Sequence, residues 1–431
     1  MGDEIRAGTG RVDITPSVGS CLVGYLSPRI SRGVRDPLFA TSAVLGRGED
    51  RVALVSCDLM AVPRPWSDVA KSMIMEETGI PPERVMIAAT HIHTGPCVSS
   101  VFMSDADHEY LSTLPSAIAR SVELADASAT PASIQVGTAR EDGLSFNRRF
   151  RMKDGTVSTN PGIGNPDAGP PAGPIDPEVI GLSIRDLDGR VRGCLFNYAN
   201  HVDVMTGNLI SSDYPGLLAR LFRQSYGDDA NLVYLNGACG NLNHIDISGR
   251  RNQNGPEQVE MIGRTLFDDL EKILGNSKPD PVSRLGGALE EIKLPRHRVT
   301  GEEIARAKEV LEKREGMDRE VIFAREIMML ARNPSMEIGT VMQVLRVGEA
   351  AFLGIPGEVF VEIGLSIKET SGFPLTAVVE LANDYVGYLP TDEGFEQGGY
   401  EVTPARSSQA APGTARVLVD GAGKLISMLG R

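Results

Sequence analysis

Short apolar runs of strand length, alternating with stretches of helical period, constrain this chain more than any other feature of its sequence. The runs at residues 52–56, 85–89, 180–184, 193–197 and 231–235 read as buried strands. Residues 66–78, 213–224 and 257–274 instead return an apolar side chain every three or four positions, as a helix with one buried face does. Strands and helices in alternation predict an α/β fold with helices flanking central sheet layers. Strand ends are where such folds place their ligands, so the residues that follow these runs are the first place to look for chemistry.

At roughly 150 residues per domain, 431 residues suffice for one large unit or two to three small ones. No internal repeat or low-complexity tail divides them, which predicts a single catalytic domain over residues 1–431. Residues 161–177 are dense in Gly and Pro and predict irregular backbone, either a lid or a mobile surface loop. Residues 302–332 are charge-rich and free of Pro, with strand-like segments at 287–294 and 340–347 on either side. A helical hairpin inserted at 301–333 is expected, and residues 421–430 are expected to be a helix or tail.

The formal charge of −14 and an isoelectric point near 5.0 argue against nucleic acid or an anionic membrane as partner. The chain opens without the basic and apolar regions of an export signal, and no stretch approaches the roughly 18 apolar residues of a membrane span. A cytoplasmic protein with no stable membrane association is expected. Five scattered cysteines without a CxxC pair fit reduced thiols better than a disulfide framework. A small molecule is the expected substrate, and a symmetric homo-oligomer is common among acidic enzymes of this size.

Of the six histidines, His91 and His93 stand directly after the run at 85–89. At strand spacing they would point to one side, and neutral imidazole suits zinc. Alone, a His-x-His pair is equally well read as two hydrogen-bonded histidines in a polar cleft. His201, in Asn200-His201-Val202-Asp203, again follows an apolar run, and two such clusters at two strand ends shift the balance toward a metal. A third ligand is usually a carboxylate, for which Glu358 after Ile355-Pro356-Gly357 is the candidate. It reads equally as a helix N-terminal glutamate favoured by the helix dipole. Asp58, at the end of the run at 52–56, is either a carboxylate orienting a histidine or a turn cap.

Several segments in order, Gly10-Arg11-Val12-Asp13-Ile14-Thr15-Pro16, His91-Ile92-His93-Thr94-Gly95-Pro96, Asn147-Arg148, Pro356-Gly357-Glu358-Val359 and Asn383-Asp384-Tyr385-Val386-Gly387-Tyr388, carry a likeness to a known family. From Gly10 to Tyr400 the sequence resembles the neutral/alkaline ceramidases and their bacterial relatives. The resemblance implies their α/β catalytic domain, with mixed β-sheet layers and a metal at the strand C-terminal ends. It implies zinc held by His91, His201, Glu358 and Tyr388, with His93 and Arg148 facing substrate.

Where the ceramidases have Gly-Asp-Val-Ser-Pro-Asn this chain has Gly240-Asn241-Leu242-Asn243-His244, so Asn243 replaces the serine proposed as nucleophile or substrate contact. Asparagine cannot attack a carbonyl, which leaves metal-activated water, or else the thiol of Cys239, a residue more readily explained by burial. His244 reads as a further polar contact or a surface residue. No counterpart of the secretion signal or C-terminal β-sandwich of the secreted ceramidases is expected here either. The expected function is a zinc-dependent hydrolase cleaving a carbon–nitrogen amide bond of a small soluble substrate. The alternatives are an esterase or lactonase on the same ion, and a metal-containing binding protein whose catalysis has lapsed.

Overall fold

Apolar runs without polar alternation belong to strands covered on both faces, and the architecture supplies both covers. The computed structural model describes residues 4–249 and 253–430. Its larger sheet orders the strands Asn231–Asn236, Val191–Tyr198, Glu178–Asp186, Thr130–Arg140, Ile5–Asp13, Phe39–Arg47, Asp50–Cys57 and Val85–Ala89 side by side. Lys278–Asp280 pairs in addition with Thr130–Arg140. Neighbours are antiparallel except at the two edges, where Val191–Tyr198 with Asn231–Asn236 and Asp50–Cys57 with Val85–Ala89 run parallel. The helices Arg64–Thr78, His108–Ala127, Asp213–Tyr226 and Pro256–Asn276 cover one face through Val55, Ile87, Phe196 and Leu232.

The alternate residues Leu54, Met86, Leu195 and Val233 face a second sheet, made of Leu285–Pro295, Glu337–Val347, Ala350–Gly354 and Leu375–Val379. The far side of that sheet packs against the helices Val361–Thr370 and Thr414–Met428 through Leu353, Val378, Ile363 and Leu425. The result is four layers, helix, sheet, sheet and helix, with a core in each of the three gaps.

One irregularity places the site. The larger sheet is joined at its middle by only two residue pairs, Arg6 with Pro131 and Ala7 with Thr130. Its halves therefore fold toward each other, and Asn231–Asn236 comes against Asp50–Cys57 and Val85–Ala89 from the opposite edge. Asn231 Nδ2 donates to Thr9 Oγ1 at 3.0 Å across this closure. Strand ends that a flat sheet would hold far apart are thus brought together.

The expected helical hairpin is Gly301–Lys313 and Arg319–Leu330. Thr300 and Glu303 form a capping box on the first helix, and Asp318 caps the second. The strands on either side pair with each other from Leu285 with Val347 to Pro295 with Glu337, so the hairpin leaves and re-enters at one sheet end. The Gly- and Pro-rich stretch 161–177 is less irregular than expected, because Ala168–Pro171 forms a strand against Arg149–Met152. No helix among the described residues is long and apolar enough to cross a membrane.

Candidate metal centre

His91 and His93 do not reach one point by strand alternation, as the spacing suggests. The strand Val85–Ala89 has ended, and His91 takes a left-handed backbone, φ 72°, uncommon for a residue with a Cβ. Its N–H donates to Leu59 O at 2.8 Å, and Ile92 forms a parallel bridge with Val202. That bridge lays the segment bearing His91 and His93 beside the segment bearing His201 and Asp203. The ligating atoms of His91, His93 and His201 all lie within 4.8 Å of one another, a donor set able to hold a metal ion.

Hydrogen bonds fix the tautomers. His91 Nδ1 is 3.1 Å from Met60 O and His201 Nδ1 is 3.4 Å from Cys239 O. A carbonyl only accepts, so each Nδ1 carries the proton and each Nε2 presents a lone pair. Those two Nε2 atoms face each other at 3.1 Å, and His91 Nε2 is 3.4 Å from Glu358 Oε2, a buried oxygen without a hydrogen-bond donor. Converging lone pairs need a cation between them. Ligands about 2.0–2.1 Å from a tetrahedral zinc would lie about 3.3–3.4 Å apart, so the spacing fits the ion. Burial alone would lower the His91 pKa, but the Glu358 carboxylate raises it, so the site favours positive charge.

Glu358 belongs to a two-residue strand, Glu358–Val359, paired in parallel with Tyr388–Leu389 so that Glu358 and Tyr388 are direct partners. The helix begins only at Val361, so the helix N-terminal reading of Glu358 does not hold. Tyr385 Oη donates to Glu358 Oε1 at 3.0 Å. Burial pushes the Glu358 carboxyl up, but His91, Tyr388 and Arg148 together hold it below its ordinary value. Gly240 closes against this pair, since a Cβ there would meet Glu358 O at 2.4 Å.

Arg148 is buried and is held at Nε and at one terminal nitrogen. It donates from Nε to Glu401 Oε1 at 2.9 Å, and from one terminal nitrogen to Gly240 O at 2.7 Å and Tyr388 Oη at 3.1 Å. Glu401 also binds Arg149 at 2.9 Å and Thr159 at 2.8 Å. His93 donates from Nδ1 to Gly24 O at 3.1 Å, while its Nε2 is buried without a partner. Burial, and then His91, lower its pKa to about 4, which keeps the ring neutral.

The same arrangement of layers is found in solved proteins. No protein-family model and no curated protein matches the sequence. Among solved structures, neutral ceramidase from Pseudomonas aeruginosa superposes with a TM-score of 0.76 at 20% identity, over 99% of this chain and 75% of that one. A ceramidase complexed with C2 gives 0.77 at 18% identity over the same shares. The chain has the ceramidase fold.

Within the ceramidase fold the remaining candidates are placed as follows. Asn243 donates from Nδ2 to Asn160 Oδ1 at 2.9 Å and accepts from Ile245 N at 3.0 Å, so both ends of its amide are spent on loop structure. His244 is buried, not on the surface; its Nδ1 lies 3.3 Å from Asp203, and its Nε2 3.1 Å from Asn254. Asp58 takes Phe39 N–H at 2.9 Å across the strand pair, 19 residues away, which is not the contact of a turn cap, and the Met60 carbonyl orients His91. The Cys239 thiol is buried and donates to Glu380 Oε1 at 2.9 Å; burial and Glu380 push its pKa well up, away from the reactive thiolate.

Glu380 is the foremost of the residues that sequence reasoning missed. It follows the strand Leu375–Val379 and accepts from Cys239 N at 3.0 Å, Val359 N at 3.1 Å and Asn236 Nδ2 at 3.4 Å besides the thiol. One carboxylate thus ties the backbone holding His201 to the backbone following Glu358. An acid directly after an apolar strand was the available signal, as it was for Asp58. Tyr385 and Glu401 carried no comparable mark.

Proposed function

We propose that this chain is a zinc-dependent hydrolase, acting in the cytoplasm on a carbon–nitrogen amide bond of a small soluble substrate. The observation that carries it is the meeting of the His91 and His201 Nε2 lone pairs with the unpartnered Glu358 Oε2 in a buried site. We assign His91, His201, Glu358 and Tyr388 as the residues that hold the ion. Zinc at such a site supplies an activated water at neutral pH and polarises a carbonyl. Water activated that way removes the need for a side-chain nucleophile, which agrees with Asn243 standing where the ceramidases have serine.

The chain's own groups supply the rest. Arg148, held by Glu401 and Gly240, directs a terminal N–H at Tyr388 Oη and places positive charge where an oxyanion would develop. His93, neutral and with a free buried Nε2, accepts and returns a proton beside the histidine pair. The fold shared with two ceramidase structures supports amide chemistry over other carbonyl substrates. The test is a panel of amides, esters and lactones assayed with and without a chelator. Chelator-sensitive turnover restricted to amides is expected; turnover of esters or lactones alone, or of nothing, overturns the assignment.

A further inference from the structure

The hairpin Gly301–Lys313 and Arg319–Leu330 packs against Phe102, Tyr400 and Arg406. Arg406 pairs with buried Glu326 at 2.7 Å and donates to Phe102 O at 2.6 Å. Phe323 packs edge-on against Phe102 and Tyr400, with centroids 5.8 and 6.5 Å away, and Tyr400 packs in turn on Tyr388 at 5.7 Å. An aromatic wall therefore runs from the hairpin to the candidate metal ligand.

Between the two helices and Pro404 lies a cavity of about 540 Å³ with an apolar floor that includes Val310, Ala324 and Ile327. Four charged residues line it: Glu303, Arg306, Arg319 and Glu320. Both acids are engaged within the hairpin. Glu303 accepts from Thr300 N at 2.7 Å and pairs with His297 at 3.1 Å, and Glu320 pairs with Arg314. Neither arginine has an ion-pair partner among the described residues; Arg306 reaches only the field of Glu309, which Lys313 already binds.

Arg319 also defies the local rule for its position. It is the first residue of its helix, where the macrodipole disfavours a cation. Its guanidinium is instead held over the rings of Phe323 and Tyr400, 5.5 and 5.9 Å from their centroids. In a chain of net charge −14, a cavity whose acids are spent and whose guanidiniums are free selects for negative charge.

We propose that this cavity is a subsite for an apolar segment ending in a carboxylate, so that the substrate is an amide carrying an anionic apolar arm. The substrate part of this inference rests on the amide-hydrolase reading; the cavity's selectivity does not. Titration calorimetry with decanoate and decanol tests the selectivity directly. Decanoate should bind the intact protein at least about tenfold more tightly than decanol, and Arg306→Gln with Arg319→Gln should abolish that preference while decanol binding stays the same. Both substitutions are on exposed residues, and an unchanged melting temperature confirms an intact hairpin. Equal binding of the two probes, no binding of either, or a preference that survives the double substitution overturns the subsite.

A second arm compares an amide bearing a terminal carboxylate with its methyl ester. The double substitution should raise KM for the acid alone, with kcat and zinc content unchanged. If decanoate selectivity is present but no amide turns over, the hydrolase reading fails and the cavity stands. Amide turnover without decanoate selectivity does the reverse.

Discussion

Glu380→Gln should weaken metal binding without unfolding the protein, and the hydrogen-bond geometry sets the size of the effect. Glu380 Oε2 receives two backbone N–H groups, Cys239 at 3.0 Å and Val359 at 3.1 Å; Oε1 receives the Cys239 thiol at 2.9 Å and Asn236 Nδ2 at 3.4 Å. Glutamine keeps an acceptor for the backbone pair but turns the other position into a donor facing two donors. The short thiol bond and the longer Asn236 bond are both lost, and the short one alone, to a charged or partly charged group, contributes about 1.5–3 kcal/mol. Because the carbonyl of Cys239 holds His201 and Val359 follows Glu358, that loss falls on the placement of both side chains proposed to bind the metal. Outer partners of metal ligands typically contribute 10–100-fold in affinity, the same range. Competition against a chelator of known zinc affinity should therefore show a 10–100-fold rise in dissociation constant, with the metal-free proteins melting within a few degrees of each other. An affinity within twofold of the unaltered protein refutes the role assigned to Glu380.

Tyr388→Phe removes the hydroxyl that lies 3.1 Å from Arg148 and should lower kcat about 10²–10³-fold in steady-state amide assays, with far less change in KM. Asn243→Ser should cost about 1–2 kcal/mol in denaturant unfolding, because the bonds to Asn160 and Ile245 are lost, and should leave kcat within threefold. Lys71 is buried on the helix Arg64–Thr78 with no hydrogen-bond partner for Nζ, and burial lowers its pKa to about 7 from an ordinary 10.5. Between those values the unfolded chain binds more protons than the folded one, so stability rises with pH across that window. Lys71→Met should stabilise the protein at pH 7, by at most about 5 kcal/mol, and the gain should shrink toward pH 10; a pH-independent difference in unfolding free energy contradicts this.

The layers of the fold were readable because burial on both faces leaves an unmistakable mark. The runs at 85–89 and 231–235 became Val85–Ala89 and Asn231–Asn236 almost residue for residue, and the capped hairpin fell within the expected 301–333. What sequence could not give was the two-pair junction at Arg6 and Ala7, since a weak seam in a sheet depends on twist and packing, not on composition. Without that seam there is no reason for His91, after one edge strand, and His201, after the strand next to the other edge, to meet. The same limit explains the misread geometry of His91, whose left-handed backbone is imposed by Leu59 and by the Ile92 to Val202 bridge. Glu380 and Glu401 escaped notice because each acts on residues far away in the chain.

The central claim, that the lone pairs of His91, His201 and Glu358 converge on a zinc ion, is tested most directly by elemental analysis of the purified protein beside His91→Ala and Glu358→Gln. Near-stoichiometric zinc in the unaltered protein, lost in His91→Ala and sharply reduced in Glu358→Gln with both variants folded, is the predicted result. A protein that folds and turns over its substrate without zinc, or that keeps its full zinc in His91→Ala, contradicts the account.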